Sequence, residues 1–221
     1  MTDSRIQTLA ATAAQQASNR TTAPADLSKA ELTTQPGSQG GTAPDTAPVA
    51  TTDAPMALAP EPATLPPSAQ RVAALLAELS HPHPVVMLPQ TGRTSAEAAE
   101  ALGCDVANIA KSIIFRRIED DRPVLVIASG VNRVDESKVT AQVGAIGRAD
   151  ARFVRDATGY AIGGVCPIGH AVAPLVLIDA DLMALDTIWA AAGHPHAVFK
   201  LDGAALARWT GAPVIDVAER R

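Results

Sequence analysis

Aromatic side chains are scarce in this 221-residue chain, six in all, and every one lies between Phe115 and Trp209. Residues 1–66 therefore have no large apolar ring to build a core around, and nine of the 17 prolines fall before residue 68. Such a Thr/Ala/Pro/Gln mixture cannot bury enough apolar surface to offset the entropy of ordering it. Residues 1–66 are expected to be a disordered extension, with at most a fraying helix around Ile6 to Gln16, and residues 67–221 a single folded domain. Only two cysteines, Cys104 and Cys166, are present; they give no disulfide framework and fit a reducing compartment. No stretch of 18 apolar residues occurs, so no membrane span is expected. The N-terminal apolar residues are interrupted by Gln7, Thr8, Thr12 and Gln15-Gln16, which excludes a continuous export-signal core and makes the expected location cytoplasmic. P-loop and G-x-G-x-x-G phosphate turns are missing, as is a G-x-S-x-G nucleophile elbow.

Positive charge is also lacking. The net charge is -5, and the chain after residue 65 carries 15 basic against 17 acidic groups. A domain so nearly neutral cannot hold nucleic acid by bulk attraction. DNA is not an expected partner, and RNA would need a local patch, for which Arg116, Arg117, Arg133, Lys138, Arg148, Arg152 and Arg155 are the candidates.

What is present reads as alternating helices and strands. Val72, Leu75, Leu76 and Leu79 share one face of a helix over 68–79, with Ser68 as its cap. His81-Pro-His83-Pro ends it, and Val85 to Leu88 follows as a short strand. Thr94-Ser95-Ala96-Glu97 has the form of a capping box before an Ala-rich helix that Gly103 stops. Residues 111–118 and 124–128 read as paired strands. Asp135 caps a helix to Val143, short elements fall near Ala145-Ile146 and Phe153-Val154, and strands follow at 175–178 and 197–201. Asp202 caps a last helix that Gly211 ends, and 214–217 closes the chain as a strand. Several connections are too short for a parallel crossover, so the expected fold is α/β (α+β): a mixed, partly closed sheet or barrel flanked by helices.

The stretch Gly163-Gly164-Val165-Cys166-Pro167-Ile168-Gly169-His170 stands out. Its glycines let the backbone approach a ligand closely or take positive φ, and Pro167 stiffens the turn. His170 places a group able to bond or move a proton beside that backbone. An ordinary Gly/Pro connector is the plain alternative.

That loop, together with residues 108–115 (Asn-Ile-Ala-Lys-Ser-Ile-Ile-Phe), 126–135 (Val-Ile-Ala-Ser-Gly-Val-Asn-Arg-Val-Asp) and Leu177-Ile178-Asp179, resembles the YbaK/EbsC family over about Arg93 to Val217. The resemblance implies hydrolysis of mischarged aminoacyl-tRNA and kinship with the editing domain inserted in bacterial prolyl-tRNA synthetases. It implies a YbaK-like fold; from the residues themselves no metal and no cofactor are expected. The implied partners are the acceptor end of a mischarged tRNA and, beyond it, an aminoacyl-tRNA synthetase. A non-catalytic module that binds aminoacyl-tRNA or a synthetase is the alternative from another class.

Within this resemblance Lys111 matches the family's lysine and is expected to hold the substrate, as a compact cation rather than a base. Alone, a lysine before Ser112-Ile113-Ile114-Phe115 reads as a head group snorkelling to water. Backbone N–H groups at Gly163 and Gly164 are expected to stabilise the oxyanion of ester hydrolysis. The family pattern implies that the substrate's free ribose hydroxyl assists. His170 is a catalytic candidate, with a purely structural role equally open. Ser129, Asn132, Cys166, Pro167 and Asp179 are the expected substrate-binding residues; Asp181 reads as a turn or helix cap. A Cys166 thiolate activated by His170 is a rival mechanism, which the variability of that position among relatives disfavours. His81-Pro-His83 and His194-Pro-His196 look like metal pairs, but no Cys or carboxylate completes a recognised spacing.

Overall fold

In the computed structural model the described residues are 65–89 and 94–220. The expected extension thus lies outside the described residues except for Leu65 and Pro66, and the helix around Ile6 to Gln16 lies wholly outside. Leu65 is buried in the main core. Pro66 precedes α1 (Pro67–Glu78), where it is the N-cap with no side-chain cap bond. Ser68 is therefore not the cap, because the helix starts one residue before it. Proline suits this start, since the first helical N–H has no partner to lose. Ala69, Val72 and Leu76 form the buried face of α1.

The elements then run β1 (Val85–Met87), α2 (Ser95–Leu102), β2 (Ile109–Arg117), β3 (Pro123–Ser129), α3 (Glu136–Val143), β4 (Ile146–Arg148), α4 (Ala151–Thr158), β5 (Leu175–Asp179), β6 (Ile188–Ala191), β7 (Ala197–Leu201), α5 (Gly203–Thr210) and β8 (Val214–Ile215). Thr94 and Glu97 make the reciprocal capping box, and Gly103 ends α2 in the left-handed conformation. Asp135, Asp150 and Asp202 cap α3, α4 and α5.

All the strands belong to one mixed sheet, ordered β1-β7-β6-β2-β3-β5-β8, with β4 also on β2. β2 and β3 are antiparallel, Lys111 opposite Ala128; β2 with β6 and β3 with β5 are parallel. Every residue of β3 is buried. Leu125 and Ile127 join a core with Val72 and Leu206, while Val124 and Val126 join another with Val139. Both faces are covered, which explains an unbroken apolar run in place of alternation.

One consequence of the pairing positions the site. β3 occupies one side of β2 throughout residues 110–116. On the other side β6 pairs only with Ile109 and Ala110, and β4 only with residues 115–117. Among the described residues, the edge of β2 from Lys111 to Ile114 has no strand partner.

Candidate functional site

A cavity of about 350 Å³ lies against that open edge, lined by Lys111, Ser112 and Ile113 of β2 together with Thr94, Gly163 and Trp189 among others. The Ser112 hydroxyl oxygen is buried without a hydrogen-bond partner. Trp189 and Val198 belong to the small core under α2, so one wall is apolar and fixed by packing.

The polar wall is built on Lys111. Its Nζ donates to the carbonyl oxygen of Gly130 at 3.2 Å and to that of Asn132. The turn bearing these two carbonyls is itself held. The Asn132 N–H donates to the Ser129 carbonyl at 3.0 Å. Gly130 packs so closely that an added Cβ would lie 2.9 Å from Ser95 Cβ and collide with the Val106 carbonyl. Asn132 Nδ2 donates to Asp179 and to Asp181, each at 2.7 Å. Asp179, fully buried, also accepts from the Ser129 N–H at 3.0 Å and the Asp181 N–H at 3.2 Å. The cap expected of Asp181 is therefore supplied by Asp179, two residues earlier. Ser129 Oγ donates to the Ala107 carbonyl at 2.9 Å. Burial pushes the Lys111 ammonium below its ordinary pKa, against the opposing charge of Asp179. Desolvation disfavours the charged form, and a nearby carboxylate restores part of it.

The glycine loop forms the facing wall. Gly163 has φ +86° and lines the cavity with Val165. Among the described residues neither of their N–H groups has a protein acceptor. The Gly164 N–H, by contrast, donates to the Ala161 carbonyl at 2.9 Å, which removes it from the expected oxyanion pair. Gly164 is small for another reason: a Cβ would sit 2.7 Å from the backbone of His194. Cys166 and Pro167 are buried behind the loop. Burial pushes the Cys166 thiol up to about 12, so thiolate is scarce near neutrality. His170 Nε2 pairs with the Cys166 carbonyl oxygen at 2.7 Å rather than with its sulfur, and its ring stands 6.0 Å from Tyr160. Burial lowers the His170 pKa.

The sequence profile of the aminoacyl-tRNA editing domain matches residues 90–209. The chain belongs to that family. It is 34% identical over 128 residues, 57% of this chain and 81% of the relative, to the uncharacterized protein YwhH of Bacillus subtilis (strain 168). It is 35% identical over 92 residues to a proline–tRNA ligase of Ligilactobacillus salivarius (strain UCC118), covering 41% of this chain but only 16% of the ligase. Among solved structures, one described as a candidate trans-editing enzyme for prolyl tRNA synthetase superposes with a TM-score of 0.67 at 40% identity. The match covers 71% of this chain and all of the other. The mixed sheet flanked by helices is therefore the family's architecture, as the sequence motifs imply.

Within this editing domain the remaining candidates separate cleanly. His81 Nε2 pairs with the Lys200 carbonyl oxygen at 2.7 Å, and His194 Nδ1 accepts from the His196 N–H at 3.2 Å. Among the described residues no group of three or more His, Cys, Asp or Glu is placed to hold a metal. Of the seven cations proposed for RNA, Arg116, Arg117, Arg133, Lys138 and Arg152 each pair with a carboxylate. That leaves Arg148 and Arg155 outside ion pairs among the described residues. No described helix is long and apolar enough to cross a membrane. The cavity walls that sequence reasoning missed, Thr94, Trp189 and Pro195, come from segments with no shared motif.

Proposed function

We propose that this editing domain is a hydrolase acting in trans, which cleaves the ester joining a small amino acid to a mischarged tRNA. The supporting observation is one cavity lined by a single ammonium, Lys111, and by Gly163 and Val165, whose N–H groups have no protein acceptor among the described residues. Water adds to the ester carbonyl carbon, the acyl C–O bond breaks, and the ribose oxygen takes a proton, yielding free amino acid and tRNA. Two main-chain N–H groups without a protein acceptor suit the oxyanion that forms in between; one aimed donor is worth about 3 kcal/mol in such a transition state. Lys111, fixed by two carbonyls, holds the substrate electrostatically. Ser129, Asn132 and Asp179 back Lys111 in this reading, while Cys166, Pro167 and His170 shape the loop. A raised thiol pKa and a histidine engaged elsewhere give Cys166 no part in the chemistry, and the substrate's ribose hydroxyl remains available to assist.

The relation to a proline–tRNA ligase supports tRNA charged with a residue smaller than or similar to proline as substrate. Alanyl, seryl, threonyl and cysteinyl esters are the panel to test. Purified protein releasing at least one of these amino acids above the spontaneous rate supports the hydrolase. Tight binding of the same tRNAs with no release would make the chain a binding module instead.

A further inference from the structure

The geometry points to Arg220 as a positioning residue that acts through Asp181 and Asn132 on the Lys111 ammonium. The inference takes its activity readout from the hydrolase reading above.

Arg220 grips Asp181 with both terminal nitrogens, Nη1 on Oδ2 at 3.1 Å and Nη2 on Oδ1 at 3.0 Å. Its Nε is shared with Asp216 Oδ1 at 3.1 Å. Asp181 Oδ2 is the same oxygen that accepts Asn132 Nδ2. Asn132 thus spends both amide protons, one on buried Asp179 and one on Asp181. A primary amide has only two protons to give, so its orientation is fully determined by these carboxylates. Two carboxylates converging on one amide nitrogen repel each other, and the guanidinium of Arg220 offsets that repulsion. Asp181 is half-exposed, with a side-chain accessibility of 39%. Without Arg220 its path to water is open.

The consequence falls on Lys111. Among the described residues it makes no ion pair within salt-bridge distance; its Nζ bonds are to the carbonyls of Gly130 and Asn132. Those carbonyls belong to the turn that Asn132 pins to the two aspartates. Loosening Asn132 therefore frees the ammonium from its place in the cavity. Arg220 itself does not line that cavity, which distinguishes positioning from substrate contact.

The experiment compares wild type, Arg220→Ala, Arg220→Lys and Asp181→Asn, each also combined with Lys111→Ala, on the ester the wild type cleaves fastest. Arg220→Ala should lower kcat about tenfold with KM little changed, the scale of coupling inside one hydrogen-bonded network. Arg220→Lys, which keeps the charge but not the two-pronged grip, should recover part of it. On a Lys111→Ala background the same substitutions should cost almost nothing further. Full additivity with Lys111→Ala overturns the relay, and a loss confined to KM identifies Arg220 as a tRNA contact and overturns it equally.

A second readout needs no turnover. The chain has four lysines, and the side-chain NMR resonances of Lys111, assigned through Lys111→Ala, should stand apart from the other three in wild type. They should move towards the others in Arg220→Ala and Asp181→Asn. An unmoved Lys111 resonance in folded variants defeats the proposal even if no ester is ever cleaved. Conversely, a shift without deacylation leaves the relay standing and removes only the hydrolase.

Discussion

The two walls of the cavity solve opposite problems. On the Lys111 side, polar side chains are numerous and nearly all committed to each other: Asn132 to two aspartates, Ser129 Oγ to a carbonyl, Asp179 to three donors. On the glycine side, the cavity is lined by exposed Gly163 and buried Val165, and Cys166 and Pro167 are buried as well. One wall fixes a charge by surrounding it with partners, and the other leaves N–H groups without acceptors. Hydrogen bonds already satisfied cost nothing during a reaction, whereas unsatisfied ones are available to it.

Removing the charge should break the first wall outright. Lys111→Ala is expected to lower kcat/KM for ester hydrolysis by about 10²- to 10³-fold, the range seen when one electrostatic contact to a transition state is lost. Steady-state deacylation measures it. The same group predicts an alkaline limb. Burial lowers the Lys111 pKa beneath its ordinary 10.5, so as pH rises the ammonium is lost at a lower value than that of a free lysine. Above that value, kcat/KM corrected for spontaneous hydrolysis should fall about tenfold per pH unit, and a limb no lower than that of free lysine would argue against the assignment.

The second wall can be broken in two distinguishable ways. Gly164→Ala places a Cβ 2.7 Å from the His194 backbone. Overpacking of this kind typically costs about 1–3 kcal/mol, visible as a lower melting temperature. Gly163→Ala meets only ordinary contacts with Pro195 at 3.8 Å, but its φ of +86° is costly for any residue with a Cβ, about 1–2 kcal/mol. Because Gly163 lines the cavity and Gly164 does not, Gly163→Ala should lose the larger share of kcat. Cys166→Ala sharpens the comparison from behind the wall. With the thiol at about 12, no step passes through its sulfur and kcat should stay near that of wild type, whereas a loss of several hundredfold would restore a thiol mechanism.

The smallest effect concerns His170. Burial lowers its pKa, so as pH falls through about 6.5, the ordinary histidine value, the unfolded chain takes up a proton that the folded chain resists. Stability should therefore decrease towards acid. Replacing His170 by Asn should flatten that part of the curve in urea titrations at pH 5 to 7, and an unchanged slope would contradict the lowered pKa.

Much of this architecture is legible in the sequence because it is local. The Thr94–Glu97 box, the Asp135 and Asp202 caps and the glycines that end helices act within four or five residues, and each occurs where the pattern places it. β6 is not legible: Ile-Trp-Ala-Ala shows no alternation, and it becomes a strand only because β2 and β7 border it. The helix α4 reads from sequence as only a short element near Phe153-Val154, since in Ala-Arg-Phe-Val-Arg-Asp-Ala-Thr the two large apolar residues are adjacent and the helix buries just Val154, Ala157 and Thr158. Lys111, Gly163, Asn132 and Asp179 can be singled out by type and motif. What the side chains of Lys111 and Asn132 bond cannot, because those partners are 19 to 49 residues away in the chain. The Gly164 N–H is missed for a local reason: a glycine pair suggests two free donors, but a turn closing on Ala161 three residues back consumes one of them.

Single-turnover release of amino acid from mischarged tRNA, run with wild type, Lys111→Ala and Cys166→Ala side by side, tests the central claim most directly. The account predicts rapid release of at least one small residue by wild type and by Cys166→Ala, and release about 10²- to 10³-fold slower, though still above the spontaneous rate, with Lys111→Ala. Wild-type release no faster than the uncatalysed ester across the whole panel, or full activity in Lys111→Ala, would contradict it.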